Sequence, residues 1–239
     1  MRQRIQKVLA DAGVAGRRTI EEMVLEGRIT VNDRLVTSLP CFVDTSADKI
    51  AIDGEIIRLK PAARKYFLLN KPRNVASIRR SDVKTVYDLV PPSGILHCVG
   101  PLNSGDSGLV LLTTDGELAQ LLTHPRYGLE KTYRAEIEGK PDAAAIAKLK
   151  QGVFIGKYRT EGAKVKIVSR SPQRSVLMIE LAEGKNGEVR RVMRIAGLNP
   201  MSIRRTAFGP LTDEGLKPGS HRRVSVQEVE KLRAAVRRH

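Results

Sequence analysis

The sequence predicts an α+β protein in which a small α/β domain precedes a larger domain built on a mainly antiparallel sheet. Beyond residue 65, strand-like apolar runs recur with short helical pieces between them in an irregular order, which is typical of this fold class. Residues 1–60 contain two helical and two hairpin patterns, and a polar, proline-containing stretch follows them. We therefore expect domains over residues 1–60 and 66–239, joined by a linker over 61–65.

The first domain is predicted to begin with two helices. Apolar residues at helical spacing form the first helix, which Gly13 ends. Thr19 and Glu22 have the spacing of a capping box for a second helix over 20–26, and Gly27 stops it.

Two strand pairs complete this domain. The first turns at Asn32 and Asp33, and the second, over residues 49–57, turns at Asp53 and Gly54.

The second domain shows five strand patterns, two internal helices and a terminal helix. The terminal helix is predicted from a capping box between Ser225 and Glu228. The predicted strands are 66–69, 109–112, 132–137, 163–168 and 176–181, and the internal helices are 117–122 and 141–149.

The charge points to a polyanionic partner. The chain of 239 residues carries a formal net charge of +16, and its pI is about 10.2. Residues 1–63 hold 10 basic and 9 acidic side chains, whereas the remainder holds 32 and 17, so the excess lies in the second domain. An excess of this size favours RNA or DNA over a membrane as the partner.

Several other classes of protein are not expected. No apolar run reaches the roughly 18 residues that a membrane span needs, and the first residues lack the apolar core of a signal peptide. Two cysteines, Cys41 and Cys98, and four histidines suggest neither a disulfide framework nor a metal site. We expect a cytoplasmic protein without metal or cofactor.

Four segments carry the functional signal. They are residues 100–116 (Gly-Pro-Leu-Asn-Ser-Gly-Asp-Ser-Gly-Leu-Val-Leu-Leu-Thr-Thr-Asp-Gly), 130–139 (Glu-Lys-Thr-Tyr-Arg-Ala-Glu-Ile-Glu-Gly), 183–191 (Glu-Gly-Lys-Asn-Gly-Glu-Val-Arg-Arg) and 203–211 (Ile-Arg-Arg-Thr-Ala-Phe-Gly-Pro-Leu). In this order they resemble the motifs of rRNA pseudouridine synthases of the RsuA/RluB type. Residues 2–58 resemble the S4 RNA-binding domain, so the resemblance spans nearly the whole chain.

The resemblance implies a reaction and the groups that perform it. Such enzymes flip a uridine into a pocket and rejoin its base to the ribose through C5, without metal or cofactor. A carboxylate starts the reaction, an aromatic ring holds the base, and a cation keeps the carboxylate ionised. The resemblance assigns the ring to Tyr133, the cation to Arg190 and an apolar contact under the base to Ile203. The structural alternatives are a core tyrosine and a surface arginine.

Six basic residues are expected to contact RNA. Two lie between the predicted helices of the first domain, one precedes a proline in a loop that resembles the family's pocket wall, and three belong to the last two motifs. These residues are Arg17, Arg18, Lys71, Arg191, Arg204 and Arg205.

The first motif departs from the family at three positions. Asn103 stands where the family has its nucleophilic aspartate, Pro101 stands for an arginine, and Asp106 stands for a threonine. An amide has the shape of a carboxylate but no charge, so the chemical step is expected to be lost. Proline supplies neither a charge nor an N–H. Because an unpaired buried cation is costly, Asp106 is expected to pair with Arg190 instead.

Three functional hypotheses follow. The chain is an RNA-binding pseudoenzyme of this family, such as a monomeric ribosome assembly or ribosome-bound factor acting on rRNA. The alternative is an active synthase with an altered catalytic residue, for which Asp106 is the candidate. A third hypothesis is a nucleic-acid chaperone that uses only its charge.

Overall fold

A computed structural model describes residues 2–57, 63–182 and 188–237, and the chain divides into two compact units. The division falls between Lys65 and Tyr66, and a short segment, Ser93–Leu96, groups with the amino-terminal unit. Two residues of the predicted linker, 61 and 62, lie outside the described residues, as do residues 183–187 of the third motif.

The amino-terminal unit contains two helices and six short strands within its described part. The strands form a two-stranded antiparallel pair, β1 with β4, and a four-stranded antiparallel sheet in the order β3-β2-β5-β6. In chain order the elements are β1 (Arg2–Arg4), α1 (Ile5–Asp11), α2 (Arg17–Leu25), β2 (Ile29–Val31), β3 (Arg34–Leu35), β4 (Phe42–Asp44), β5 (Ile50–Ile52) and β6 (Glu55–Ile56).

Both predicted helices are present, but the start of the second was wrongly predicted. Gly16 is its N-cap in an extended conformation, and no side chain caps the helix. Thr19 therefore lies inside α2, and Arg17 and Arg18 are its first residues and not part of a preceding loop. The predicted stop is confirmed, since Gly27 follows α2 with φ +71°.

Both predicted hairpin turns are confirmed. Asn32 and Asp33 have φ of 51° and 63°, and Asp53 and Gly54 have φ of 52° and 82°. Two consecutive positive φ angles are what a two-residue hairpin turn requires, and asparagine, aspartate and glycine tolerate them best.

The second unit contains a mixed sheet with helices around it. Its strands are β7 (Tyr66–Lys71), β8 (His97–Val99), β9 (Ser107–Thr113), β10 (Glu130–Glu138), β11 (Phe154–Ile155), β12 (Tyr158–Arg159), β13 (Lys164–Ser169), β14 (Arg174–Ala182), β15 (Pro200–Phe208), β16 (Leu211–Thr212) and β17 (His221–Arg223). Its α-helices are α3 (Gly116–Thr123), α4 (Ala143–Gln151), α5 (Glu188–Ile195) and α6 (Val226–Arg237), and 3₁₀ turns lie at Val86–Leu89 and Pro125–Tyr127.

The described residues of this unit form a nine-stranded sheet in which the order β13-β14-β10-β15-β9-β7-β17 forms the main path. Every pair of neighbouring strands is antiparallel except β9 with β15. The predicted α+β class with a mainly antiparallel sheet is confirmed, and the five predicted strands correspond to β7, β9, β10, β13 and β14.

Helix α6 begins as predicted. The backbone N–H of Ser225 donates to Glu228 Oε2 over 2.8 Å, and the N–H of Glu228 donates to Ser225 Oγ over 3.2 Å. Leu232 and Val236 of α6 pack with Leu109 and Leu111 of β9 in one buried cluster. In the described part of the chain, no helix combines the length and apolar character that a membrane crossing requires.

Candidate functional site

The first motif enters the sheet at its centre. Its residues 100–106 form a loop that leads directly into β9, which lies between β7 and β15. In the sheet Gly108 pairs with Arg205, and Arg205 pairs with Tyr133. Three of the four motifs therefore meet in one row across neighbouring strands.

Glycine is required where the first motif passes Arg205. Gly108 has φ +107°, and a Cβ there would lie 2.2 Å from the carbonyl oxygen of Arg205. Gly100 has φ +63°, and a Cβ there would lie 2.7 Å from the ring of Phe208. The conformation of the loop thus depends on these two positions.

Arg205 lies inside the protein, where its side chain links the start of this loop to β9. The residue is 1% exposed. Its Nε donates to the carbonyl of Leu109 over 2.6 Å, and its Nη2 donates to the carbonyl of Gly100. The Nη1 lies 3.5 Å from the hydroxyl of Tyr133, and the guanidinium carbon lies 5.1 Å from the ring centre of Phe208. At this degree of burial Arg205 could contact RNA only if neighbouring groups moved, so its contact with RNA stays a prediction.

Asp106 and Arg190 form the expected ion pair. Arg190 Nη2 donates to Asp106 Oδ1 over 2.5 Å, and Arg190 Nη1 donates to the carbonyl of Pro200 over 2.8 Å. The side chain of Asp106 is 4% exposed and that of Arg190 is 21% exposed. A charge buried to this degree is stable only when it is paired, and the two residues provide each other's partner.

The side-chain amide of Asn103 binds the second oxygen of the Asp106 carboxylate. Its Nδ2 donates to Asp106 Oδ2 over 3.1 Å, and the backbone N–H of Asp106 donates to the carbonyl of Asn103 over 3.1 Å. The turn from Asn103 to Asp106 is therefore closed by backbone and side chain together. Asn103 is exposed, whereas Asp106 is buried.

Lys71 holds the other side of the same loop. Its Nζ donates to the carbonyls of Pro72, Val75 and Ser104 over 3.0, 2.8 and 3.3 Å. Burial lowers the pKa of Lys71 to about 8, and the nearby carboxylate of Asp106 opposes that shift. Because Lys71 is 0% exposed, it could contact RNA only if neighbouring groups moved, and its contact with RNA stays a prediction.

Ser77 is a site residue that the sequence did not indicate. Its hydroxyl donates to the carbonyl of Leu102 over 2.8 Å and accepts the N–H of Leu102 over 3.0 Å. It fixes the backbone beside Asn103, but a single serine in a loop carries no signal of such a role.

The two residues predicted to face the target base are buried. Tyr133 and Ile203 are both 0% exposed. They lie on adjacent strands, β10 and β15, and Ala135 is the sheet partner of Ile203. A base could contact either side chain only if neighbouring groups moved.

The remaining cations predicted to contact RNA lie at the surface. Arg17, Arg18 and Arg191 are exposed. Arg204 is partly exposed and donates to Asp213 Oδ2 over 2.5 Å. Within the described ranges, no cluster of histidine, cysteine, aspartate and glutamate could hold a metal ion.

Comparison with known proteins identifies the family. The model for RNA pseudouridylate synthases matches residues 65–194, and the model for the S4 domain matches residues 3–39. The chain belongs to the RNA pseudouridylate synthase family. The resemblance drawn from the motifs is thereby confirmed.

Full-length relatives support this assignment. The ribosomal large subunit pseudouridine synthase B of Bacillus subtilis is 38% identical over 240 residues, which cover 97% of this chain and 96% of the relative. An uncharacterized RNA pseudouridine synthase of Aquifex aeolicus is 36% identical over 241 residues, covering 99% and 96%. A crystal structure of a pseudouridylate synthase superposes with a TM-score of 0.67 and 27% identity, covering 96% of this chain and 99% of the other.

Proposed function

We propose that this chain is an RNA-binding member of the pseudouridylate synthase family that does not isomerise uridine. The observation that carries the proposal is the turn from Asn103 to Asp106. An amide occupies the position of the family's nucleophile, and the nearby carboxylate is bound on both oxygens, to Arg190 and to Asn103.

Asp106 is poorly placed to take over the chemical step. Its side chain is 4% exposed, and a nucleophile must approach its target to within about 3–3.5 Å. Both of its oxygens would have to break their hydrogen bonds, and the charge of Arg190 would then lose its carboxylate partner. The pair therefore serves to stabilise the loop.

The partner that we propose is ribosomal RNA. The formal charge of +16 favours a polyanion, and the Bacillus subtilis relative is named for the large ribosomal subunit. A protein that binds rRNA without modifying it would act as a ribosome assembly or ribosome-bound factor. We propose that it acts as a monomer.

The proposal is tested by mapping pseudouridine in 16S and 23S rRNA transcripts after incubation with the protein. The unmodified protein is expected to bind rRNA and to form no pseudouridine. The double variant Asn103→Asp/Asp106→Thr restores the family's residues at two of the three departures, leaving Pro101, and is expected to gain activity at a specific uridine. Asn103→Asp alone is expected to gain less, because two neighbouring carboxylates repel each other and one becomes protonated.

The second candidate function is an active synthase that uses Asp106. The contact with Arg190 favours it, because a carboxylate paired with this arginine is what the resemblance implies for the catalytic group. Pseudouridine formed by the unmodified protein and lost in Asp106→Ala would overturn the proposal of inactivity. Asp213→Ala, which removes another arginine-bound carboxylate, is the matched control.

Selectivity among RNAs distinguishes the proposed factor from a chaperone that binds through charge alone. Such a protein would bind rRNA and an unrelated transcript of equal length with equal affinity. The proposed ribosome-bound factor is expected to bind rRNA more tightly than the unrelated transcript at physiological salt, where non-specific binding is weak.

A further inference from the structure

We propose that the hairpin formed by β11 and β12 is a second RNA-contact surface, on which Phe154 stacks against an unpaired base and Arg159 and Lys157 contact the adjoining phosphates. The inference rests on the proposed RNA binding and goes beyond the site at Asn103.

The first observation is the exposure of Phe154. The residue is 66% exposed, although burying an aromatic side chain is among the largest gains available on folding. Its neighbours in the chain, Val153 and Ile155, are 7% and 3% exposed. The strand thus points its smaller apolar side chains inward and its phenyl ring toward solvent.

The hairpin that carries this ring is firmly held. The N–H of Val153 donates to Thr160 Oγ1 over 3.0 Å, and the N–H of Thr160 donates to the carbonyl of Val153 over 2.8 Å. A Cβ at Gly152 would lie 2.2 Å from the carbonyl oxygen of Thr160, so the two strands approach closely. A rigid support reduces the entropy lost when a ligand binds.

Arg159 lies beside the ring without covering it. The two residues are directly paired in the hairpin, and the guanidinium carbon is 5.9 Å from the ring centre. For comparison, Arg79 lies 4.0 Å from the ring centre of Tyr87, which is a closed stack. Arg159 Nη2 donates to the carbonyl of Gln151 over 3.2 Å, so its position is held from the protein side.

The charge around the ring fits a nucleic acid. The segment from the start of α4 to four residues past the hairpin, residues 143–163, contains four basic side chains and one acidic side chain, Glu161. All five are exposed. The basic residues are Lys148, Lys150, Lys157 and Arg159.

The hairpin is also connected to α5, the helix that carries Arg190. Tyr158 donates from its hydroxyl to Glu188 Oε1 over 2.9 Å. Glu188 is the first residue of α5, two positions before Arg190, and the exposed Arg191 follows. A strand of RNA that contacts α5 would therefore have the hairpin within reach.

An unpaired base fits this surface better than a protein does. Protein-binding surfaces are contiguous apolar patches of several hundred Å², whereas here both strand neighbours of the ring are buried and cations flank it. Single-stranded nucleic acids are bound by this combination of an aromatic ring for the base and cations for the backbone.

The test measures binding of the full-length protein to an oligouridylate of about 12 nucleotides, a length within the site sizes of such surfaces, over a range of salt concentrations. Phe154→Ala is expected to weaken binding about tenfold at every salt concentration, because stacking does not depend on charge. Phe154→Tyr is expected to retain binding, and Phe154→Leu is expected to lose it as Phe154→Ala does. Arg159→Gln is expected to reduce the slope of log K against log salt by about 1.

Val226→Ala is the matched control, because Val226 is an apolar residue that is 75% exposed on α6. Circular dichroism confirms that each variant is folded. The inference is overturned if Phe154→Ala or Phe154→Leu binds as tightly as the unmodified protein, an outcome that would favour a protein partner for the ring. If the unmodified protein binds neither the oligouridylate nor rRNA, both the proposed RNA binding and the inference about the hairpin are wrong.

Discussion

Arg205 and Arg17 are both basic residues of motifs associated with RNA, yet they lie in opposite environments. Arg205 is 1% exposed and donates to the carbonyls of Leu109 and Gly100. Arg17 is exposed at the first position of α2. The difference shows that a basic residue in such a motif has two separate uses: one holds the loop of the site, and the other remains available to a polyanion.

The same division applies to the other cations. Lys71 and Arg190 bind carbonyl groups or a carboxylate of the protein, and Arg18 and Arg191 are exposed. Changing a buried cation is therefore expected to affect the free energy of unfolding first. Changing an exposed one is expected to affect RNA affinity and its salt dependence.

The largest effect is expected for Arg205→Ala compared with Arg204→Ala, two neighbours on β15. Removing Arg205 takes a donor from the carbonyls of Leu109 and Gly100 and opens a cavity, which together cost about 3 kcal/mol or more. Arg204 is partly exposed in its pair with Asp213, and its removal is expected to cost about 1 kcal/mol or less. Urea denaturation measures both.

Arg205→Met separates the two causes of that loss. Methionine fills much of the space but donates no hydrogen bond, so it is expected to recover only part of the stability. Equal losses for Arg205→Ala and Arg204→Ala would contradict the division between buried and exposed cations.

Much of the fold followed from the sequence, and the elements that were missed have separate causes. Strand β10 could be predicted because polar and apolar residues alternate over 132–137, and its burial alternates in the same way. Strand β15 was missed because Arg204 and Arg205 interrupt its apolar pattern, although Arg205 occupies a buried position. Helix α5 was missed although Val189, Val192 and Met193 have helical spacing with arginines between them, a pattern that indicates an amphipathic helix.

The candidate site could be predicted in part for a different reason. Asp106 and Arg190 are 84 residues apart, and no local pattern relates them. The pair followed from the cost of an unpaired buried cation, once the resemblance had brought both residues to one site. The burial of Lys71 and Tyr133 could not be predicted, because it depends on how the strands pack.

An intermediate case is Arg222, whose side chain is 37% exposed and donates to both oxygens of Glu228 over 2.9 and 2.7 Å. This contact, together with the backbone N–H of Ser225, lowers the pKa of Glu228 from 4.5 to about 2. The carboxylate therefore stabilises the folded state at pH values above 4.5, and this contribution disappears as the pH falls toward 2.

Glu228→Gln isolates that charge, because glutamine can retain the capping box. The variant is expected to be less stable by about 1 kcal/mol at pH 7 and equal to the unmodified protein near pH 2, after allowance for solvent screening of Arg222. Thermal unfolding across this range measures the difference. The exposed Glu230 on the same helix supplies the control, Glu230→Gln, and a loss that stayed constant with pH would exclude the charge as its cause.

The smallest effect on stability, and the clearest on binding, is expected for Arg17→Gln and Arg18→Gln. Each is expected to change the free energy of unfolding by less than about 0.5 kcal/mol and to reduce the slope of log K for rRNA against log salt by about 1. Arg28→Gln is the matched control in the same unit, because Arg28 Nη2 lies 2.6 Å from Asp53 Oδ2. If binding depended on total charge alone, as for a chaperone, all three variants would lose equal affinity. A smaller loss for Arg28→Gln would place the contact at the start of α2.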